Sequence, residues 1–254
     1  MDATTQSSKV ILVTGGNRCI GLSIVKSLAK HSDLSTATIL MGCRNVEQGM
    51  STISELQIQG IHGVEAVKLD VASDDSIREA LALIDNKYGQ LDVLVNNAGY
   101  ATTTSLLDFS DVRQAFQQIY DVNVSSVALL TRLCLPLLRK SPHGGKVIQI
   151  GSARGSIGRL ASGELPPTVA IGYSISKTAL HALTLQMAFE PDNAGVEFQI
   201  ASPGHCKTAF NGFRGARNPD EGAIVVVELV TGKRRETKIW ETLGATAGLT
   251  QVLW

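Results

Sequence analysis

The sequence predicts one α/β domain: a doubly wound parallel sheet of about seven strands with helices on both faces. Short β-branched apolar runs alternate with segments whose apolar residues recur at helical spacing, such as IGLSIVKSLAK and SDDSIREALALIDNKY. The runs are continuously apolar, which is typical of strands covered on both faces. No Pro/Ser-rich linker, repeat or charge block divides residues 1–254. The predicted strands are KVILVT, ATILM, VEAVKL, LDVLVN, KVIQIGS and VEFQIAS.

Two helix boundaries follow from local chemistry. Ser73 precedes Asp74, Asp75 and Ser76, which predicts a capped and acid-rich start of the third helix. Pro191 is predicted to close a helix that begins near Tyr173, because the residue before a proline disfavours the helical backbone.

Composition excludes several classes of function. The 254 residues contain 23 Lys+Arg and 23 Asp+Glu, so the chain has no broad attraction to nucleic acid or anionic lipid. The first nine residues lack the apolar core of a signal peptide, and apolar stretches such as AIVVVELV are too short to span a membrane. We expect a cytoplasmic protein without a metal site. Its four cysteines lack metal-ligand spacing and are expected to be free thiols: Cys19, Cys43, Cys134 and Cys206.

A glycine-rich turn, Thr14–Gly21, follows the first predicted strand and precedes the first predicted helix. Glycines let a chain turn tightly and approach phosphates, and a helix N-terminus supplies N–H donors and the positive end of a dipole. The pattern therefore indicates a dinucleotide pyrophosphate site. An ordinary flexible turn is the alternative that the motif alone leaves open.

The motifs along the chain resemble those of the short-chain dehydrogenase/reductase family, in the family's order. The turn matches T-G-x-x-x-[G/A]-x-G, with Cys19 in place of the middle Gly or Ala. The first hundred residues look most like carbonyl reductases, and later segments are similar to fungal secondary-metabolite reductases, including the V-x-W tail at Val252 and Trp254. The other matching positions are N-N-A-G at 96–99, Asn123, Ser152, Tyr173-x-x-x-Lys177, Pro203-Gly204 and Thr208.

The resemblance implies a Rossmann-type site for NADP(H). Because Ala is tolerated at the position of Cys19 and Cys is one heavy atom larger, we expect the turn still to bind cofactor. Asp70 matches the family's adenine contact, but it equally fits a helix-capping acid. The implied cofactor-binding residues are Gly15, Asn17, Arg18, Cys19, Ile20, Gly21, Arg44, Asp70, Val71, Asn97, Ala98, Gly99, Tyr173, Lys177, Pro203, Gly204 and Thr208.

The end of the second strand favours NADP(H) over NAD(H). NAD sites place an acid there for the ribose 2′-OH, whereas this strand ends at Arg44 with no acid at Gly42 or Cys43. Arg18 in the glycine turn adds a second guanidinium, and such forks suit phosphate oxygens. The alternative is two solvated surface arginines.

Tyr173 and Lys177 are four residues apart, so they share one face of a helix. A nearby ammonium is expected to lower the pKa of the phenol towards working pH, as general acid–base catalysis requires. The resemblance implies that Tyr173 transfers the proton and that Lys177 also holds the nicotinamide ribose. It further implies that Ser152 hydrogen-bonds the substrate oxygen and that Asn123 organises a water relay to Lys177.

Two segments are predicted to shape the substrate pocket. Ser152 and Tyr173 are 21 positions apart, about eight more than in many relatives, so residues 153–172 carry an insertion; a neutral surface excursion is the alternative. Residues 205–221 are glycine-rich and contain Phe210 and Phe213, which indicates a closing lid. The two aromatic rings either contact substrate or anchor the lid to the core.

These features predict an NADPH-dependent reductase acting on the carbonyl, or a related C=N or C=C bond, of a small hydrophobic metabolite. The altered glycine turn and the insertion keep open a fungal pathway enzyme that couples imine reduction to cyclisation or isomerisation. A non-catalytic NADPH-binding protein is the third hypothesis, and the intact proton-transfer residues count against it. Relatives often pair through their fourth and fifth helices, and the apolar content from Val122 to Leu138 is compatible with a homodimer or homotetramer.

Overall fold

The computed structural model describes residues 8–102, 111–168, 170–233, 235–242 and 248–252. Residues 1–7, Val169 of the insertion and Trp254 of the V-x-W tail lie outside the described residues. The strands are β1 (Val10–Thr14), β2 (Thr38–Cys43), β3 (Val64–Lys68), β4 (Val93–Asn96), β5 (Lys146–Ile150), β6 (Glu197–Ala201), β7 (Ile239–Thr242) and β8 (Leu249–Val252). The helices are α1 (Cys19–Lys30), α2 (Val46–Ile58), α3 (Asp74–Tyr88), α4 (Val112–Tyr120), α5 (Ser126–Arg139), α6 (Ile157–Ala161), α7 (Ile171–Phe189) and α8 (Pro219–Thr231).

The strands form one sheet in the order β3-β2-β1-β4-β5-β6-β7-β8. Strands β1 to β7 are parallel, and β8 pairs antiparallel with β7 at the edge. The predicted α/β doubly wound parallel sheet is confirmed. The predicted number of about seven strands is one too low, because the chain returns after β7 and adds β8, which contains Val252. The strand order reverses between β1 and β4, where doubly wound sheets bind ligands.

Local chemistry sets the predicted helix boundaries. The Ser73 hydroxyl accepts a hydrogen bond from the Ser76 amide at 3.2 Å, which caps α3 as predicted. Gly89 ends α3 in the left-handed conformation. Helix α7 begins two residues before Tyr173 and ends at Phe189, two residues before Pro191. The long apolar stretch AIVVVELV forms most of α8 rather than a strand.

Helices cover both faces of the sheet. On one face, α1 and α8 pack against each other, with Ile24 and Val226 fully buried. On the other face, α3, α5 and α7 cover the strands with side chains such as Ile84 and Leu138. Because both faces are covered, β1 and β4 are almost entirely apolar and fully buried, as their continuous apolar runs predict.

A continuous helical run, 112–139, joins α4 to α5 through a π-helical turn at Asp121–Ser125. Among the described residues, it contains the one helix that is long and apolar enough to cross a membrane. Half of its most apolar window is buried inside the fold, and a core helix passes the same test. Pairing of two chains through this run stays a prediction.

Candidate active site

The glycine turn is tied to the end of β4 through Thr14 and Asn97. The Thr14 hydroxyl accepts hydrogen bonds from the backbone amides of Asn97 and Ala98, both at 2.9 Å. The Asn97 side-chain amide donates to the carbonyls of Thr14 at 2.8 Å and Gly15 at 3.1 Å. These bonds join the carboxyl ends of β1 and β4, the two strands on either side of the switch point.

Backbone geometry explains two of the glycines in the turn. Gly15 has a φ of +61°, which favours glycine. At Gly21, an added Cβ would lie 2.1 Å from the Gly15 carbonyl oxygen and 2.5 Å from the Asn97 side-chain nitrogen. No side chain other than hydrogen fits there, so the turn keeps an open backbone cradle.

Cys19 adopts the conformation that glycine favours, with a φ of +52°. This geometry gives the physical reason for the small residue in the motif, because a side chain in this region carries strain. Cys19 is the first residue of α1, and Arg18 before it caps no helix amide with its side chain. The first amides of α1 thus remain available to an anionic group, so these residues fit the pyrophosphate of a dinucleotide.

The remaining predicted cofactor residues lie at or near the carboxyl ends of the strands. Arg44 follows β2 and is exposed, as is Arg18. Asp70 follows β3, and its carboxylate accepts a hydrogen bond from the Ala72 amide at 3.1 Å. Asp70 therefore shapes the turn before α3, although Ser73 caps that helix. The other predicted cofactor residues in these turns are only partly buried or exposed: Asn17, Ile20, Val71, Ala98 and Gly99.

Asn123 lies in the π-helical turn and is 1% exposed. Its side chain exchanges two hydrogen bonds of 2.8 Å with the backbone of Tyr100, just after the N-N-A-G segment. Its amide also donates to the Ser176 hydroxyl at 3.0 Å, beside Lys177 on α7. Asn123 thereby joins β4 to the helix that carries the predicted proton-transfer pair. Local π-helical turns occur frequently at functional sites.

The structure brings Ser152, Tyr173 and Lys177 together beyond the end of β5. The side chain of Ser152 interacts with the Tyr173 phenol and favours its charged form. The Lys177 ammonium lies 5.5 Å from the centroid of the Tyr173 ring and donates to the Ile150 carbonyl at 2.6 Å. Both Tyr173 and Lys177 are on α7, one turn apart, so a single helix sets their spacing.

Burial controls the acidities of this pair. Desolvation raises the pKa of Tyr173 to about 12, and the hydrogen bond with Ser152 acts in the opposite direction. Desolvation lowers the pKa of Lys177 from 10.5 to about 8. The predicted fall in the tyrosine pKa is therefore wrong, because burial of the phenol outweighs the opposing effect of Ser152.

The insertion after Ser152 is folded and anchored. It contains a 3-10 turn at Ala153–Gly155 and the short helix α6. Two guanidinium nitrogens of Arg159, on α6, bind the two carboxylate oxygens of Glu241, on β7, at 2.7 and 3.4 Å. The third nitrogen of Arg159 lies 3.2 Å from the carboxylate of Glu164. Arg154 donates to the Pro166 carbonyl within the insertion. The Arg159–Glu241 pair connects the insertion to β7, and the role of the insertion in the substrate pocket stays a prediction.

The predicted lid contacts Tyr173. The ring of Phe210 meets the ring of Tyr173 edge-on, with centroids 5.7 Å apart, while Phe213 is 60% exposed with a φ of +60°. Thr208 is buried, and its amide lies 3.4 Å from the Asn211 side-chain oxygen. Before the lid, Gly204 has a φ of +79° and packs against Arg217, which donates to the Pro203 carbonyl at 3.1 Å.

All four cysteines are free thiols, as predicted. Cys206 at the start of the lid is 2% exposed, and its Sγ lies 3.4 Å from the Pro203 carbonyl oxygen. Burial raises its pKa to about 11. A buried thiol of this acidity is unreactive at neutral pH.

Two residues at the site, Ser202 and His181, match none of the sequence motifs. Ser202, directly after β6, accepts a hydrogen bond from the Ala153 amide at 3.2 Å. His181 of α7 is 2% exposed and lies against the backbone that carries Ser152. Its position four residues after Lys177 is the sequence signal that indicates a shared helix face.

Comparison with known proteins agrees with this geometry. A family model for short chain dehydrogenase matches residues 9–219. A short-chain dehydrogenase/reductase of Aspergillus fumigatus is 31% identical, with 95% of this chain and 96% of that protein covered. The chain therefore belongs to the short-chain dehydrogenase family and is an oxidoreductase, which confirms the predicted family.

Two solved structures are similar over nearly their whole length. An alcohol dehydrogenase from the archaeon Thermococcus sibiricus, complexed with 5-hydroxy-NADP, is 26% identical, with a TM-score of 0.75 and coverage of 96% of this chain and 99% of that one. An NADPH-bound carbonyl reductase from chicken fatty liver has a TM-score of 0.77 at 24% identity, covering 93% and 96% of the two chains. At 24% identity, the similarity to the carbonyl reductase shows the shared fold alone.

Cys19→Gly is expected to raise the free energy of unfolding of the cofactor-free chain by about 0.5–1 kcal/mol. The strain of a left-handed side chain is removed, and the greater freedom of unfolded glycine offsets part of the gain. Urea unfolding measures this, with Gly21→Ala as the opposite control, which should destabilise the turn.

NADPH fluorescence titration should show binding by wild type and by Cys19→Gly, and a wild type without measurable binding would refute the fit of the turn.

Lys177→Met is expected to stabilise the chain at pH 7 by about 2 kcal/mol while removing its activity. The pKa of Lys177 is lower in the folded than in the unfolded state, so burial of its ammonium costs stability below pH 8, and stability rises with pH between about 8 and 10.5. The lost hydrogen bond to Ile150 reduces the gain by about 1 kcal/mol.

Urea unfolding at pH 7 and pH 10 measures this effect, with the exposed Lys30→Met as the control that should change little. The gain should be smaller at pH 10, since the lysine is then largely neutral in the folded chain. A destabilised variant at both pH values would show that burial of Lys177 is not costly.

Proposed function

We propose that the chain is an NADPH-dependent reductase that transfers hydride to the carbonyl, or to a related C=N or C=C bond, of a small hydrophobic metabolite. The observation that carries this proposal is the contact between Ser152, Tyr173 and Lys177 at the carboxyl end of β5. A hydroxyl pair next to a buried ammonium is suited to hold a carbonyl oxygen and to supply its proton.

The turn from Thr14 to Gly21 and the Asn97–Gly99 segment would hold the dinucleotide. Gly15 and Gly21 leave the backbone open for the pyrophosphate, and the amides at the start of α1 would donate to it. Arg18 and Arg44 are exposed cations, suited to a ribose 2′-phosphate. When bound, reduced NADP supplies the hydride. The NADP ligand of the archaeal alcohol dehydrogenase supports the same choice here.

Tyr173 would donate the proton to the oxygen that becomes an alcohol. With a pKa of about 12 in the chain alone, its phenol is protonated at neutral pH and is thus ready to donate. Ser152 would donate a hydrogen bond to the same oxygen as negative charge develops on it. Lys177 would stabilise the phenolate that Tyr173 becomes, since its ammonium lies on the same helix face.

Asn123 would position Lys177 through Ser176 and join α7 to the end of β4. Phe210 would close the pocket over Tyr173 and exclude water from it. The insertion, anchored by Arg159, would form another wall. An aromatic lid and a folded insertion suit a hydrophobic substrate.

Tyr173→Phe is expected to lower kcat by about 10²–10⁴-fold while NADPH affinity stays unchanged, because only the proton donor is removed. NADPH oxidation over a panel of ketones, aldehydes, enones and imines measures turnover. Activity unaffected by the substitution would contradict the mechanism. Product formation without net NADPH consumption would favour coupled cyclisation or isomerisation, and cofactor binding without any turnover would favour a non-catalytic protein.

Arg44→Ala is expected to weaken NADPH binding by about 10–100-fold and to leave NADH binding unchanged, because a charge-assisted bond to the 2′-phosphate is lost. Fluorescence titration with both cofactors measures the ratio of the dissociation constants for NADPH and NADH. Arg113→Ala, an exposed arginine on α4, is the matched control and should not alter it. An equal loss with both cofactors would show that Arg44 does not select NADP(H).

A further inference from the structure

His181 is a buried, titratable residue that takes no direct part in the proton transfer described above. It lies on α7, four residues after Lys177 and eight after Tyr173, so the three side chains follow one face of the helix. Its ring reaches the segment between β5 and α6, where Ser152 is located.

The imidazole contacts this segment on both sides of Ser152. Its Nε2 accepts the Ser152 backbone N–H at 3.4 Å. An added Cβ on Gly151 would lie 2.6 Å from Nε2, and one on Gly155 would lie 2.7 Å from Cε1. The two glycines therefore let the backbone close around the ring, and this packing restricts where Ser152 can lie.

Three successive backbone amides in this segment each meet a side-chain acceptor. Ser152 donates to His181, Ala153 donates to the Ser202 hydroxyl at 3.2 Å, and Arg154 donates to the Ser152 hydroxyl at 3.2 Å. Of these acceptors, only His181 comes from the helix that carries Tyr173 and Lys177. Movement of Ser152 relative to Tyr173 therefore requires disruption of the contact with His181.

The ring is held in the neutral form that can accept this bond. Burial, and then the neighbouring Lys177 charge, lower the pKa of His181 to about 4, while a hydrogen bond with the Gly155 backbone acts in the opposite direction. With Nε2 as the acceptor, the proton of the neutral ring is expected on Nδ1.

We propose that His181 is a positioning residue that sets the Ser152 hydroxyl at the correct distance from Tyr173 for the reduction. This inference rests on the proposed reductase function. The role is indirect: His181 contacts the backbone of Ser152, and Ser152 contacts the substrate oxygen. Because a misplacement of about 1 Å in an active site costs up to about 100-fold in rate, loss of this contact should be measurable in turnover.

The test compares His181→Leu, which keeps similar volume without an acceptor, with His181→Gln, whose amide oxygen can accept the Ser152 N–H. His181→Leu should lower kcat about 10-fold, with KM and NADPH affinity nearly unchanged, and His181→Gln should recover most of the loss. Thr184→Val is the matched control, since it removes a buried hydrogen bond on α7 remote from Ser152 and should leave kcat unchanged.

A double-mutant cycle separates positioning from general stability. Ser152→Ala should lower kcat about 10²–10³-fold, and addition of His181→Leu to it should cause little further loss. The proposal would be overturned if His181→Leu lowered kcat by the same factor with and without Ser152→Ala. A kcat of His181→Leu equal to that of wild type would overturn it as well. Thermal unfolding of every variant identifies any loss that comes from unfolding.

A second readout does not depend on turnover. In chain labelled with ¹⁵N-histidine, the nitrogen shifts of His181, assigned by comparison with His181→Gln, should show a neutral ring with its proton on Nδ1. A proton on Nε2 would overturn the positioning role even if wild type reduced no carbonyl of the panel. Conversely, suppose that the chain shows the expected tautomer but reduces no carbonyl of the panel. The lack of turnover would then refute the reductase function, while the tautomer would still support the His181–Ser152 contact.

Discussion

The buried ammonium of Lys177 connects the sheet to the helix on which the rest of the site depends. Its hydrogen bond of 2.6 Å to the Ile150 carbonyl joins α7 to the last residue of β5. Since Tyr173 is one helical turn earlier and Ser152 is two residues beyond Ile150, this bond sets the two hydroxyl groups beside each other. A parallel sheet makes the arrangement available, because its strand ends share one edge.

The same ammonium creates a conflict between stability and function. Burial shifts the pKa values of Lys177 and Tyr173 in opposite directions, and in both cases towards the neutral form. In the proposed reduction, a neutral phenol would donate the proton, and the phenolate that follows would need the positive charge of Lys177. The fold thus retains a costly buried cation where the proposed chemistry would require it. His181, four residues further along α7, adds a neutral acceptor to the same face and stays uncharged.

Much of this arrangement could be predicted from the sequence. Continuous apolar runs predicted the buried strands, the Ser73 cap predicted the start of α3, and the spacing of Tyr173 and Lys177 predicted a shared face. These are local properties, decided by residues close in sequence. The motif also located the strained position of Cys19, although the positive φ that explains it became visible only in the structure.

Other features depend on contacts between distant residues. The pKa of Tyr173 depends on how deeply α7 is buried, and the spacing of residues along the sequence carries no information on burial. The pairing of Arg159 with Glu241 spans 82 positions, so nothing near α6 indicates its partner. His181 matches no motif, and a single histidine on an apolar helix face is usually a core residue. The edge strand β8 is short and only partly buried, so its pattern is weak.

The proposed mechanism requires a substrate oxygen that is shared by two hydroxyl groups beside a buried ammonium. The most direct measurement is a crystal structure of the chain with oxidised NADP and a carbonyl substrate taken from the panel. The carbonyl oxygen is expected to lie within hydrogen-bond distance of both Ser152 Oγ and Tyr173 Oη, beneath Phe210. An oxygen bound by other groups, with Tyr173 out of reach, would contradict it.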